Sequence, residues 1–276
     1  MSKLEQMAYK MQPAGHEEPP KRRNYAKADT KLRQIFETWL NGDYIVNHTY
    51  HADEMLEDAQ RMLKGIKATP EELHALLIPY QDHPRFKLTG LFLTGFYNVC
   101  RENEIHFDVP LEEEIDHVGY RLAENKILIN KATMGYLCGE MANGNIINYG
   151  TVGNSFCLRS DCKALNYGTV QDLGNLSSLF VNMGLTFNVG TAIRAVIDYG
   201  QIKSPSINGV YNFLSSQGER PYSPQARKKV LEYLSNLKLG FEKGKTDHKA
   251  AIKALNDISV DKIVQDYHKM VYGELK

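Results

Sequence analysis

A four-residue phrase recurs five times between residues 129 and 202, and it constrains the fold more than any other feature of the chain. Each copy has an aliphatic residue, an asparagine or aspartate, usually an aromatic residue or methionine, and then a small residue. The copies begin at Ile129, Ile147, Leu165, Val181 and Ile197, at spacings of 18, 18, 16 and 16 residues. Helical repeats need two helices and more than about 30 residues, so this period predicts coils of short stacked strands.

The repeat therefore predicts a β-solenoid of about five coils. In such a stack every strand hydrogen-bonds to its equivalent in the next coil, at a spacing of about 4.8 Å. The aliphatic residue that opens each phrase is expected to point inward, so that the five residues form one core row. Tyr149, Tyr167 and Tyr199 recur in the same register, which favours a stacked column over a platform for nucleic-acid bases.

The polar residue of each phrase predicts a ladder of side-chain amides. Buried amides can satisfy one another along a stack, each donating to the carbonyl of the next. The ladder residues are Asn130, Asn148, Asn166, Asn182 and Asp198. Asp198 ends the row, where it is expected to accept from a capping backbone amide. A row of ligand-binding side chains is the less favoured alternative, because polar groups buried in a core must be paired.

Glycines recur near the expected corners of the coils. Corners need either a positive φ or a close approach of two backbone segments, and glycine permits both. The predicted corner glycines are Gly135, Gly139, Gly144, Gly150, Gly153, Gly168, Gly184 and Gly200.

The run from Gly135 to Gly150, GYLCGEMANGNIINYG, with Gly119-Tyr120 before it, resembles the glycine-spaced repeat of the GXGXG right-handed β-helix domain. That domain occurs at the C-terminus of the glutamate synthase large subunit and in the formylmethanofuran dehydrogenase C subunit. The resemblance covers about residues 86–202 and is good over Gly135 to Gly153. It is looser afterwards, since Cys157 to Leu165 lacks the expected glycine pair and Leu185 to Thr191 departs further. It implies a right-handed β-helix that acts mainly as a scaffold for other domains. No glutaminase or flavin segment is recognisable, so it implies no activity.

Helical patterns flank the repeat on both sides and predict an α+β fold, with helices that cap the solenoid. Four helices are expected before residue 103, and three are expected to begin near Ser223, Thr246 and Ser259. The predicted regions are a disordered tail (1–24), a helical region (25–103), the β-helix (104–204) and a second helical region (205–276).

Two local signals bear on the N-terminal helices: one supports a helix start, and the other weakens a helix. Thr69-Pro70-Glu71-Glu72 predicts a helix start with a capping box, because a threonine cap is followed by glutamate three residues later. Gly90 and Gly95 lie inside the fourth helical pattern and weaken it. Either something packs very close to these glycines, or part of the segment is not a helix.

Charge and cysteine content exclude some classes of function. Lysine plus arginine and aspartate plus glutamate each number 33, so the balanced charge gives no reason to expect a nucleic-acid partner. No apolar run approaches the roughly 18 residues that span a bilayer, so no membrane association is predicted. Four cysteines are too few for a disulfide framework of this length and fit a reduced, cytoplasmic location.

Three groups of residues are candidates for chemistry. His48 and His51, with Asp53 and Glu54 beside them, have a spacing that metal ligands use, although a polar loop is the commoner reading. Cys157 and Cys162, with Cys138 about one coil earlier, can converge on one face, although buried cysteine is usually a small apolar residue. His106 and His117 flank an acidic connector near Asp116 as a possible acid–base pair.

These patterns lead to two expectations about function. The first is a non-catalytic structural scaffold or protein-interaction protein, without a cofactor, that docks another protein or a second copy of itself. The alternative is an enzyme or metal-binding subunit with a site between the helical region and the β-helix, around His48, His51, His106 and His117. The first is favoured because the repeat explains nearly every special residue structurally.

Overall fold

The computed structural model describes residues 30–42, 51–176, 178–190, 193–203, 213–215 and 223–273. Over these residues the chain forms a parallel β-solenoid flanked by seven α-helices, which confirms the predicted α+β fold with a central β-helix. The solenoid has about four turns, close to the five coils predicted. The predicted N-terminal tail and His48 lie outside the described residues.

The N-terminal helices form where the apolar stripes and caps predict them. They are α1 (Thr30–Leu40), α2 (Ala52–Leu63), α3 (Pro70–Leu77) and α4 (Thr89–Val99), with short 3-10 helices at Ile78–Tyr80 and Phe86–Leu88. The capping box of α3 is present: the Thr69 hydroxyl accepts from the Glu72 amide, and the Glu72 carboxylate accepts from the Thr69 amide. The apolar faces of these helices share one core with the interior of the solenoid.

The two glycines of α4 mark close contacts, and both lie within the helix. A Cβ on Gly90 would overlap the backbone carbonyl oxygen of Asp116, and a Cβ on Gly95 would lie 2.6 Å from the Cβ of Ala59. The first of the two alternatives is therefore correct, because both glycines let α4 approach a neighbouring segment closely.

Two parallel sheets form the walls of the solenoid. Sheet A contains seven strands in the order β1 (Glu104–Phe107), β2 (Ile127–Asn130), β4 (Asn145–Asn148), β6 (Lys163–Asn166), β8 (Leu179–Asn182), β10 (Ala195–Asp198) and β12 (Phe213–Ser215). Sheet B contains β11 (Gln201–Ile202), β9 (Leu185–Val189), β7 (Thr169–Leu173), β5 (Thr151–Val152) and β3 (Thr133–Met134). The register pairs the five opening aliphatic residues with one another across β2, β4, β6, β8 and β10, as the spacing predicts.

A column of glycines lies at the corner between the two sheets. At Gly150, Gly168 and Gly200, a Cβ would overlap the carbonyl oxygen of the residue one coil earlier. Close backbone approach is therefore the reason for glycine here. Gly139, on the third side of the coil, instead has a positive φ of 71°.

The third side of the early coils consists of turns with left-handed residues. Gly119 and Gly139 have φ values of 82° and 71°, and Cys157 occupies the next place in this column with φ 55°. The Cys157 amide donates to the Cys138 carbonyl at 2.8 Å, as the Gly139 amide donates to Val118 at 2.9 Å. Cys157 thus follows the same backbone path as the glycines of the earlier coils. Its left-handed conformation costs roughly 1 kcal/mol, because the residue has a Cβ.

The prediction that the aliphatic row points inward is wrong. Ile129, Ile147, Leu165, Val181 and Ile197 are all fully buried, but they belong to a second core outside the solenoid. The residues that precede them by one position, such as Leu128 and Ile146, fill the interior. The physical reason is the alternation of side chains along a strand. Because the ladder asparagines point inward, the residue before each of them must point outward.

Three C-terminal helices cover this outward row. They are α5 (Pro224–Gly244), α6 (His248–Asp257) and α7 (Val260–Tyr272), and their apolar residues pack on the outer face of sheet A. Ser223, Asp247 and Ser259 cap them, so α6 starts one residue later than Thr246 predicts. These helices cover a side of the solenoid. In the described part of the chain, the helices are all too short or too polar to cross a bilayer.

Candidate functional site

The five ladder residues form one buried column of hydrogen bonds. The side-chain amide of Asn130 donates to Asn148 at 2.8 Å, and Asn148 donates to Asn166 at 2.9 Å. The column continues to Asn182 at 2.9 Å and ends at Asp198 at 2.8 Å. The Asp198 carboxylate also accepts from the Gly200 amide at 3.2 Å, so it receives both the last side-chain amide and a backbone amide. The ladder side chains therefore hydrogen-bond to one another, which gives the row a structural role.

The three in-register tyrosines attach α5 to the solenoid. The rings of Tyr149 and Tyr167 stack with centroids 4.9 Å apart. Their hydroxyls donate to the carbonyls of Gly244 and Phe241, both at 2.6 Å, at the C-terminus of α5. The Tyr199 hydroxyl donates to a carbonyl farther back in α5 at 2.7 Å. Burial raises the pKa of all three phenols, so they stay protonated and act as hydrogen-bond donors.

The predicted cysteine cluster exists, but its chemistry is that of buried thiols. Cys138, Cys157 and Cys162 are fully buried, and the sulfurs of Cys157 and Cys162 lie 3.5 Å apart. Burial raises the pKa of the Cys138 and Cys157 thiols, which keeps them protonated. Since the thiolate is the metal ligand and the nucleophile, this environment favours a packing role.

His51 has one acidic neighbour. Its Nδ1 lies 3.3 Å from a Glu54 carboxylate oxygen, and the side chain is exposed at the start of α2. Asp53, the other predicted neighbour, instead accepts a hydrogen bond from Tyr120. Within the described residues, no group of three possible metal ligands includes His51 or the cysteines.

His117 and Glu140 form a buried pair with unsatisfied polar atoms. His117 Nδ1 lies 4.0 Å from Glu140 Oε2, and the two side chains are 12% and 6% exposed. Among the described residues, neither of these atoms has a hydrogen-bond partner. Buried polar atoms without partners are rare in native proteins and point to a strained or functional position. Glu140 lies in the glycine-rich run from Gly135 to Gly150, which carries no signal that would pair it with His117.

Burial brings the pKa values of this pair towards each other. It lowers the pKa of His117, and the nearby Asp116 carboxylate opposes that shift. It raises the pKa of Glu140, and the nearby Arg159 opposes that shift. Both shifts favour the uncharged forms of the two side chains.

Contacts between α2 and the turn side of the solenoid enclose the His117–Glu140 pair. The Tyr120 hydroxyl donates to Asp53 at 2.6 Å, and an Arg121 nitrogen lies 2.9 Å from the second oxygen of the same carboxylate. The Tyr120 ring meets the His117 imidazole edge-on, with centroids 5.9 Å apart. The pair therefore lies beside contacts between the N-terminal helices and the solenoid. Of the four histidines predicted for the alternative site, it includes only His117.

His106 belongs to a different cluster, together with Glu104 and His248. Strand β1 places Glu104 and His106 on one face, and His248 is the first residue of α6. Glu104 Oε1 lies 2.7 Å from His106 Nε2 and 3.1 Å from His248 Nε2. The cluster joins the edge strand of sheet A to a C-terminal helix, and His248 carried no sequence signal that linked it to His106.

The chain was compared with protein-family models, with curated proteins and with solved structures. None of the three comparisons finds a match. The structure therefore shows the architecture, a parallel β-solenoid, without a family. The candidate sites are identified from the geometry of this chain alone.

Proposed function

We propose that this chain is a non-catalytic scaffold that associates with a second copy of itself through the outer face of sheet B. The observation that carries the proposal is a row of outward side chains that remains accessible along that sheet. Thr133 and Gln201 are exposed at its ends, and Thr151, Thr169 and Leu185 are partly exposed between them. Strand pairing puts these five residues in direct register.

The chemistry of the row supports a second copy as the occupant. Its five side chains are threonines, a leucine and a glutamine, so the row carries no charge. Stacking at about 4.8 Å per strand makes it a straight ridge roughly 19 Å long. Two such ridges can meet about a two-fold axis without like-charge repulsion, since a two-fold interface uses the same surface patch on both subunits.

The proposal includes kinship with the GXGXG β-helix domain and a cytoplasmic location. Support for the kinship comes from Gly119 and Gly139, which take left-handed conformations on the turn side, and from the glycine column between the sheets. Support for the location comes from the four cysteines, all of which are free thiols.

Light scattering after size exclusion tests the association. We expect a mass of two 31.4 kDa chains at micromolar concentration. The Thr151→Lys variant places a charged side chain in both copies of the interface and is expected to be monomeric. Thr38→Lys, an equivalent change at an exposed position of α1, is expected to remain dimeric. A monomeric wild-type chain, or a dimer that Thr151→Lys leaves intact, would refute the proposal.

A second candidate function is an enzyme or binding subunit that uses His117 and Glu140 as an acid–base pair. The specific observation in its favour is the pair of buried atoms without hydrogen-bond partners, 4.0 Å apart. Functional sites retain such groups at a cost in stability. Replacing one of them should therefore stabilise the fold.

The pH dependence of stability tests this second candidate. Because burial raises the pKa of Glu140 above its ordinary 4.5, the stability that its proton contributes is present below that value. This contribution is lost as the pH rises through the raised pKa. Glutamine does not ionise, so Glu140→Gln should be more stable than wild type at about pH 8, and the difference should vanish below pH 4.5.

Urea unfolding of wild type, Glu140→Gln and the exposed control Glu124→Gln across this pH range measures the effect. The control should track wild type at every pH. A Glu140→Gln variant that is no more stable than wild type at about pH 8 would remove the reason for assigning the pair a function.

A further inference from the structure

We propose that Glu104, His106 and His248 form a binding site for a divalent transition-metal ion, with Zn²⁺ as the best fit. The three side chains offer two imidazole nitrogens and one carboxylate oxygen, and these ligand atoms all lie within 4.8 Å of one another. The site is independent of self-association through sheet B, because it lies on the outer side of sheet A beneath α6.

The distances in the cluster suit a small ion. Zinc binds histidine nitrogen at about 2.0 to 2.1 Å and carboxylate oxygen at about 2.0 to 2.2 Å, so ligand atoms of a tetrahedral site lie roughly 3.3 Å apart. Glu104 Oε1 lies 2.7 Å from His106 Nε2 and 3.1 Å from His248 Nε2. Both distances are slightly shorter than that spacing, so the glutamate lies close to the position that a shared ion would require.

The orientation of the two imidazoles also fits a shared ligand. Their ring centroids lie 4.8 Å apart, and the rings are nearly perpendicular at 86°. This arrangement directs both Nε2 atoms at the same glutamate oxygen without stacking the rings. Two imidazoles and a carboxylate favour zinc, nickel or copper over magnesium and calcium, which prefer oxygen ligands alone.

The elements that hold the ligands are ordered by other contacts. Glu104 and His106 lie two residues apart on β1, whose backbone pairs with β2. His248 begins α6, where the Asp247 side chain accepts from the Lys249 amide at 2.9 Å. The Asp247 carboxylate also offsets the positive end of the α6 dipole, which would otherwise weakly disfavour a cation.

Bound metal would have two consequences for this fold. It would fasten α6 to the edge strand of sheet A, because its ligands come from both elements. It would also keep a fourth coordination position for water or another donor, since three protein ligands leave a tetrahedral ion incomplete. The three side chains are 36%, 33% and 34% exposed, so that position is open to solvent.

Isothermal titration of the purified, metal-stripped full chain with ZnCl₂ tests the site. We expect one Zn²⁺ per chain and no competition from MgCl₂, because magnesium prefers oxygen ligands alone. His248→Ala and Glu104→Gln should each weaken binding by about 100-fold or more, because even a residue that only supports a metal ligand contributes 10- to 100-fold. The controls His268→Ala and His51→Ala, both away from the cluster, should bind as wild type.

Hydrogen exchange supplies a readout that nonspecific binding would not change. Zinc should slow exchange in α6 of wild type but not of His248→Ala, and circular dichroism of both proteins verifies that the variant is folded. Absence of saturable zinc binding to wild type, or equal binding by a folded His248→Ala variant, would overturn the proposal.

Discussion

The two sheets of the solenoid come from one repeat, yet their outer faces differ in side-chain chemistry and in burial. The outer face of sheet A has a row of five aliphatic residues that are all fully buried under α5, α6 and α7. The outer face of sheet B has threonines, a leucine and a glutamine at equivalent register positions, and these remain accessible. The repeat thus specifies the coil, and the outward residues specify which sheet the C-terminal helices cover.

This difference shows why the C-terminal helices dock on sheet A and not on sheet B. Covering sheet A removes an apolar surface from water, which stabilises the docked helices. Polar contacts at that face fix the orientation of the docked helices. The tyrosine hydroxyls donate to carbonyls of α5, and the Lys163 ammonium donates to carbonyls at the end of α6. Sheet B offers no comparable apolar row to the helices, so their docking is specific to sheet A.

The largest expected effect separates the two faces directly. Leu165→Ala removes a fully buried side chain from beneath the C-terminal helices and should lower the free energy of unfolding by about 3 kcal/mol. Thr169→Ala, in the same coil but on sheet B, should change it by less than about 0.5 kcal/mol. Urea denaturation measures both. Equal effects would show that the two faces are not different.

The corner that joins the two sheets gives the next effect. Asn166→Ala removes the acceptor of Asn148 and the donor to Asn182, which leaves buried polar groups short of partners. We expect a loss of about 2 kcal/mol in unfolding free energy, whereas the exposed control Asn143→Ala should be nearly neutral. A neutral Asn166→Ala variant would mean that the ladder does not stabilise the coil.

Lys163 tests whether polar contacts help hold the helices on sheet A. Its ammonium donates to the carbonyls of Leu255 at 3.0 Å and Ile258 at 2.7 Å. Lys163→Met keeps the apolar stem but leaves both carbonyls unpaired, so it should cost about 1.5 kcal/mol and speed hydrogen exchange at the end of α6. The exposed Lys249→Met is the control, and exchange in α6 that matches wild type would contradict this role.

The smallest expected effect concerns the tyrosine column. Tyr167→Phe keeps the stacked ring and removes only the hydrogen bond to Phe241, so it should lower the unfolding free energy by about 1 kcal/mol. Tyr136→Phe, at a side chain 54% exposed, should have little effect. Chemical denaturation of the two variants side by side resolves this difference, and a larger loss for Tyr136→Phe would contradict the proposed attachment of α5.

The sequence predicted the solenoid and most helices because these depend on local signals. A period of 16 to 18 residues fixes the strand register, and caps such as Thr69 fix where helices begin. The direction of the aliphatic row was predicted wrongly, although strand alternation contains the answer once the asparagines are placed inside. The domain boundaries at residues 103 and 204 stay a prediction.

The candidate sites were harder to predict because they depend on how distant segments meet. His248 reaches His106 only because α6 docks on sheet A, and the repeat does not indicate that docking. Glu140 lies in the glycine-rich run, and its burial opposite His117 depends on the stacking of two turns. A sequence does not indicate which distant residues come into contact unless those residues form a known motif.

Hydroxyl-radical footprinting of Leu165 and Leu185 tests the difference between the faces most directly, because both are leucines of the same repeat. Leu165 lies on sheet A and is fully buried, whereas Leu185 lies on sheet B and is partly exposed. We predict that Leu165 resists oxidation at every protein concentration. Leu185 should be oxidised in dilute solution and become protected as the mass doubles. Oxidation of Leu165 as fast as Leu185 in the folded protein would contradict the account.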